Sequence, residues 1–429
     1  MPQPPADPSH MNDILDPLLD ATSKGFPHRS APLRRSAIGT QGWNVLAGDL
    51  PLPLAVVKRD ALQHNLGWMQ RYADDAGVRF APHGKTTMSP QLFRRQLDAG
   101  AWGLTFATAT QLRVGVEAGA RRCVIANQVF DGGDLAAIAA LQGEHADLRV
   151  LFLLDSLSQL ELIEGAHLDR PFEVLLEIGV PGGRSGCRTF DDALALARRA
   201  RASTALRLAG IECYEGLGAT GDSEIDRANA DALMRRVTEV ALQCDREQLF
   251  EAGEVIVSAG GSAIFDLVVP ALRPALSRPV TGLLRSGCYV THDHGFYRRM
   301  VAAANLRLGC DQGLQAALEV WALVQSLPEP GLAILAVGRR DLSYDIELPI
   351  PIARAARGGR AVQAAPADWK ISGLNDQHAY LRFDGDPGLA VGDRIVLGIS
   401  HPCTTFDKWR WMPVVDADYR VVDALVTCF

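Results

Sequence analysis

Eight short apolar runs recur along the first two thirds of this chain, at 78–82, 103–107, 122–126, 148–154, 172–179, 206–212, 254–259 and 281–285. Each has the length of a strand buried on both faces. Segments of helical period lie between most of them, among them Pro90 to Leu97, Ala109 to Ala118, Asp191 to Ala200 and Ala230 to Leu242. Parallel strands need crossover connections, and eight strands alternating with helices predict an α/β fold of the (β/α)8 TIM-type barrel class. A doubly wound open sheet is the competing arrangement, because periodicity does not fix closure.

The texture changes after about residue 305. Ala317 to Val324, Leu332 to Val337, Tyr380 to Phe383, Arg394 to Leu397 and Tyr419 to Val422 read as strands separated by Pro, Gly and Asp, which predicts a second, C-terminal β-rich domain. Residues 1–50 are Pro-rich and polar, with one apolar stretch near Ile14 to Leu19, and read as an arm over the surface or toward a neighbouring subunit. Leu54 to Lys58 reads as a strand, with Asp60 as the cap of the helix that follows.

At 429 residues the chain has room for one large domain and a smaller one. Its 48% hydrophobic content is that of a folded globular protein, and its net charge of −7 lacks the basic face that nucleic acid requires. The N-terminus has no signal-peptide character, and no apolar run approaches the roughly 20 residues that span a bilayer. The eight cysteines show no C-x-x-C spacing, which predicts reduced thiols and a cytoplasmic protein.

Four segments carry chemistry. Ala81-Pro-His-Gly-Lys-Thr-Thr87 follows the first barrel strand, so Lys85 falls at the C-terminal mouth where barrel enzymes keep their active sites. A lysine there forms a Schiff base with an aldehyde cofactor once its pKa is lowered; taken alone, the motif is weak and reads as a surface lysine. Val257-Ser-Ala-Gly-Gly-Ser262 and Leu284-Arg-Ser-Gly-Cys-Tyr289 follow the seventh and eighth strands, where barrels commonly bind phosphate, and the first exposes backbone N–H groups of Gly260 and Gly261. Each alone is an ordinary turn; with Lys85 they favour a phosphorylated aldehyde. In Ser400-His-Pro-Cys403, residues two apart on an extended segment point the same way, so His401 and Cys403 converge as a zinc-like imidazole–thiolate pair. The plain alternative is a buried histidine near a buried cysteine.

In order, Pro-His-Gly-Lys-Thr (82–86), Glu-Ile-Gly-Val-Pro-Gly-Gly-Arg-Ser-Gly (177–186), Cys-Tyr-Glu-Gly (213–216), Ser-Ala-Gly-Gly-Ser (258–262), Arg-Ser-Gly-Cys-Tyr-Val (285–290) and His-Pro-Cys-Thr-Thr-Phe-Asp (401–407) resemble the D-serine dehydratase and D-threonine aldolase family of fold-type III pyridoxal-phosphate enzymes. The resemblance runs from about residue 50 to the end. It implies an N-terminal extension (1–50), a strand lent to the β domain (51–60), an alanine-racemase-like barrel (61–300) and a β domain carrying a metal (301–429). It further implies pyridoxal 5′-phosphate (PLP) on Lys85, with His83, Arg184 and Tyr214 around it and Gly260, Gly261, Ser262 and Tyr289 on its phosphate. His401 and Cys403 would hold the metal, and a homodimer would complete the site. Two departures touch the pocket: Ala81 and Thr87 stand where the family has Arg and His, and Gln377-His378 stands for a Glu-His pair.

The implied reaction is β-elimination of a small β-hydroxy D-amino acid to a 2-oxo acid and ammonia, with Lys85 removing the Cα proton and the metal acting on the β-hydroxyl. Retro-aldol cleavage to glycine and an aldehyde is the alternative. The thiolate favours zinc and elimination, whereas a harder oxygen ligand would suit manganese and the aldolases. A racemase needs no metal. The non-enzymatic alternative, a PLP carrier protein, lacks a second domain.

Overall fold

The computed structural model describes residues 14–167 and 170–429. The first thirteen residues of the N-terminal extension lie outside it.

The eight expected runs are eight parallel strands: Arg79–Phe80, Leu104–Phe106, Arg122–Gln128, Arg149–Leu154, Phe172–Ile178, Leu206–Cys213, Val255–Ala259 and Val280–Leu284. Each pairs with the next along the chain from the second to the eighth, and the eighth pairs with the first. Pro82 has no N–H to continue the ladder, so the first strand is short. Closure is completed past it: Trp102 N–H donates to Phe80 O (2.7 Å), Thr105 N–H donates to Pro82 O (2.9 Å), and His83 bridges Thr105. The sheet is therefore a barrel and not an open sheet. Its inward side chains, including Ala81, Leu151, Leu175, Ala209, Ile256 and Leu283, form a core cluster separate from the rest, sealed off by the strand wall. The helices that cover the wall carry apolar faces, as in Ser223–Arg246, which buries Leu233, Val237, Val240 and Ala241.

The C-terminal part is antiparallel and built on one twelve-residue strand, Leu318–Glu329. Its first half pairs with Arg394–Gly398 and its second with Leu332–Leu335. Leu54–Lys58 lies beside the same strand, with Val57 opposite Leu318 and Leu54 opposite Trp321, and pairs on its other side with Trp411–Val415. All five of its residues face packed surroundings, four of them fully buried.

Residues 14–50 pack on this β unit. Phe26 is buried edge-on against Trp43 and Trp411, Trp411 Nε1–H donates to Lys24 O (3.0 Å), and Arg35 pairs with Asp423 (2.7 Å). The helix after Leu54–Lys58 spans Arg59–Asp75 and is capped from Lys58 without a side-chain bond. Asp60 is thus in the first turn, where its carboxylate takes the Arg59 Nε–H at 2.8 Å, and is not the cap. A carboxylate there still suits the helix dipole.

Candidate active site

Lys85 sits on a single tight turn, Gly84–Thr86, just beyond the first barrel strand. Gly84 is required there, since a Cβ would lie 2.7 Å from the Phe106 ring and 2.9 Å from Phe93. The Lys85 side chain is exposed at the mouth, and among the described residues none hydrogen-bonds or ion-pairs with its ammonium. His83 lies on the same turn, with Nδ1 buried and without a hydrogen-bond partner among the described residues. Burial first, then the charges of Lys85, Arg285 and Arg184, hold the imidazole well below its usual range and therefore neutral.

The loops after the last two strands meet across the mouth. Ser286 Oγ–H donates to Gly261 O (2.7 Å), and Cys288 N–H donates to Ser262 Oγ (3.1 Å). A Cβ on Gly287 would stand 2.5 Å from Thr86 Oγ1, so the eighth loop rests directly on the lysine-bearing turn. Gly260 adopts φ +134°, outside the range of L side chains, and it and Gly261 turn their N–H groups toward one point. That point holds the Glu215 carboxylate, which accepts from Gly260 at 3.0 Å and Gly261 at 2.6 Å. The glycine loop is thus an anion nest, the chemistry a phosphate needs, and PLP fits the donors provided that Glu215 yields its place.

Tyr214 closes one side of this nest, its ring 3.3 Å from where a Cβ on Gly261 would stand. Burial pushes its phenol up to about 12, and the exposed Arg184 guanidinium lies 5.0 Å over its ring. Tyr289 is placed differently. It is buried, packs edge-on against Phe80, and its hydroxyl accepts the Gln96 Nε2–H at 3.2 Å, so it faces the helix Pro90–Asp98. Nothing in its hydrogen bonding directs it toward the glycine nest.

Under the mouth lies a buried ion pair that the sequence reading passed over. Arg285, 3% exposed, donates to Ser258 Oγ (2.7 Å), Cys213 O (3.3 Å) and the Glu212 carboxylate. Burial, against the opposing Arg285, pushes Glu212 up to about 7, and its second oxygen is buried without a partner among the described residues. The available signal was a charged residue near the C-terminal end of each of two mostly apolar strand segments.

The second cluster joins the two parts of the chain. Pro402 has helical angles and Cys403 opens a short helix, Cys403–Phe406, so His401 and Cys403 do not lie on an extended segment. They converge nonetheless, because the chain turns there, and Cys288 of the barrel joins them: one ligand atom from each lies within 4.8 Å of the others. The two sulfurs are 3.6 Å apart, and Cys403 Sγ is 3.5 Å from Thr86 Oγ1, one residue from Lys85. His401 Nδ1 hydrogen-bonds Asp345 Oδ2 at 2.6 Å, and Thr404 Oγ1–H holds the other carboxylate oxygen at 2.7 Å. Burial works against the His401 cation, but Cys403 and Asp345 outweigh it and raise the imidazole to about 9. Hydrogen bonding from Cys288 first, then His401, holds the Cys403 thiol well below its usual range against burial. Imidazole and thiolate at this spacing fit a borderline-soft divalent metal such as zinc. Cys288 lies in the Arg285–Val290 motif, but nothing local marks it as a metal ligand. Gln377 and His378 lie on a hairpin between Lys370–Leu374 and Ala379–Arg382, with Gln377 exposed.

Residues 57–278 match the model of the alanine racemase N-terminal domain, and residues 317–415 match a putative serine dehydratase domain. The chain is 28% identical over 370 residues to a D-threonine aldolase from Arthrobacter sp., covering 85% of this chain and 88% of that one. It is 28% identical over 392 residues to the D-threo-3-hydroxyaspartate dehydratase of Delftia sp. (strain HT23), covering 87% and 96%. The crystal structure of a D-threonine aldolase from Filomicrobium marinum superposes with a TM-score of 0.73 at 24% identity, over 90% of this chain and 97% of that one.

Proposed function

Since this chain belongs to the D-serine dehydratase and D-threonine aldolase family of PLP-dependent lyases, we propose that it eliminates the β-hydroxyl of a small D-amino acid, yielding a 2-oxo acid and ammonia. The observation that carries the reading is the 3.5 Å approach of Cys403 Sγ to Thr86 Oγ1. It brings a thiolate–imidazole pair next to the turn that bears Lys85, and Cα and Cβ of a substrate are likewise neighbours.

In this reading Lys85, exposed and without a partner among the described residues, takes the Cα proton. Gly260, Gly261 and Ser262 would hold the cofactor phosphate through N–H and hydroxyl groups, with Tyr214 and Arg184 as the side chains beside it. Tyr289 supports the wall through Gln96. His83 stays neutral beside Lys85 and adds no charge to repel its ammonium. His401 and Cys403 hold a divalent metal, with zinc preferred over manganese for the softness of the thiolate. Bound PLP supplies an electron sink at Cα. A bound metal supplies a Lewis acid for the β-oxygen. Asp345 fixes the His401 ring so that Nε2 is free to ligate.

Retro-aldol cleavage is the second reading, favoured by the D-threonine aldolase among the relatives. Products decide. With D-serine, D-threonine and 3-hydroxy-D-aspartate, a 2-oxo acid with ammonia means elimination, and glycine with an aldehyde overturns it. L-Serine is the control and should be inert. A homodimer belongs to the same proposal, supported by Tyr344, Ile346 and Leu348, which are 45%, 40% and 38% exposed around Asp345 at the mouth. A single monomeric species in sedimentation would overturn that part. Among the described residues no helix is long and apolar enough to cross a membrane. The eight free cysteines fit a cytoplasmic setting.

A further inference from the structure

We propose that Cys288 is a third metal ligand. The centre is then two thiolates and one imidazole, and the ion ties the barrel to the β domain. The inference rests on a metal at His401 and Cys403 and adds a ligand that comes from a different part of the fold.

The geometry argues for it. In a tetrahedral zinc site with Zn–S bonds of about 2.3 Å, two thiolate sulfurs stand about 3.8 Å apart. Cys288 and Cys403 are separated by 3.6 Å. A disulfide would need about 2.05 Å. Cys288 is buried, and its sulfur shares the small space bounded by Cys403 and His401. Its position is fixed from behind. Cys288 N–H is held by Ser262 Oγ at 3.1 Å, and it opens the one-turn segment Cys288–Val290. On the other side, Asp345 and Thr404 lock the His401 ring. A third ligand on so constrained a backbone approaches the metal without a search.

Two consequences separate this centre from a two-ligand one. A second thiolate makes the donor set softer and strengthens the preference for zinc over manganese. Three protein ligands leave a tetrahedral ion one position, the arrangement of catalytic zinc sites in which water or substrate fills the fourth. Cys288 also belongs to the loop that carries the Ser262 hydrogen bond, so metal ligation and the cofactor cradle share one rigid segment.

Zinc K-edge X-ray absorption on the reduced, PLP-loaded enzyme with one equivalent of zinc tests this without a variant. The expected first shell has two sulfurs at about 2.3 Å and one imidazole nitrogen at about 2.0–2.1 Å. Cys288→Ser should then show one sulfur. Its zinc affinity, measured against a chelator, should fall at least about tenfold, since even outer-shell partners of a metal are worth 10–100-fold. One sulfur in the wild-type spectrum overturns the third ligand and leaves His401 and Cys403 standing. Two sulfurs that persist in Cys288→Ser also overturn it. A wild-type enzyme that retains no zinc overturns the metal reading and this inference with it.

Discussion

Asp345 Oδ2 and His401 Nδ1 stand 2.6 Å apart, with the other Asp345 oxygen held by Thr404. A carboxylate so placed fixes the tautomer and the plane of a ligating imidazole. Asp345→Asn keeps the shape and removes the charge. We expect it to weaken metal binding about 10–100-fold with the fold intact, as read by metal titration and circular dichroism. Unchanged affinity would mean that His401 does not ligate through Nε2.

Lys85 is the lysine expected to carry the cofactor. Borohydride reduction of the PLP-loaded protein should fix the label to the peptide containing Lys85, as mass spectrometry would show. Lys85→Ala should lose about 10²–10⁴-fold in turnover, the usual contribution of a positioned general base. A label on any other lysine removes Lys85 from the proposed role.

Cys403→Ala should lose elimination by orders of magnitude while the protein stays yellow. The glycine nest and Lys85 are on the barrel; the Cys403 sulfur meets the lysine-bearing turn at Thr86 Oγ1, not at Lys85 itself. What goes is Lewis-acid help to the departing oxygen, worth on the order of several kcal/mol. Exchange of the Cα hydrogen in deuterated solvent should survive better than ammonia release. Wild-type turnover in the variant after EDTA dialysis would show the metal to be dispensable.

Glu212 gives a pH prediction. Its folded-state pKa is raised by burial to about 7 from an ordinary 4.5, with Arg285 opposing. The protonated form is therefore favoured in the folded chain. The contribution to stability is full below about pH 4.5 and is lost as pH rises through about 7, amounting to about 3 kcal/mol at most. In Glu212→Gln the difference in unfolding midpoint between pH 5 and pH 7.5 should narrow. Equal differences in the two proteins would show that Glu212 does not carry the linkage.

The barrel was legible because most of its strands are largely apolar runs bounded by turn residues, as in Arg149–Leu154. The β domain was less so. Ile350–Ala355 and Trp411–Val415 each contain a proline, and Lys370–Leu374 contains a glycine and alternates weakly. All three were passed over because local propensity yields there to pairing with distant strands. The site divides the same way. Lys85, the glycine nest and the His401–Cys403 pair sit in short contiguous motifs. Cys288 reaches Cys403 across 115 residues of chain, and Glu212 reaches Arg285 across 73. Only folding brings such pairs together, and their spacing along the chain carries no trace of it.

The strand Leu54–Lys58 is made early and finds its partners late. Residues 318–321 and 414–415 must both have left the ribosome before it can be flanked on each side. The barrel, contiguous from Arg79 to Leu284, can close well before then. During that interval a nascent chain displays a strand edge with four apolar residues, Leu54 to Val57, the kind of template that recruits foreign strands. Truncation before Val415 would make the exposure permanent, so incomplete products should be the ones that aggregate or recruit chaperones, with the barrel already formed.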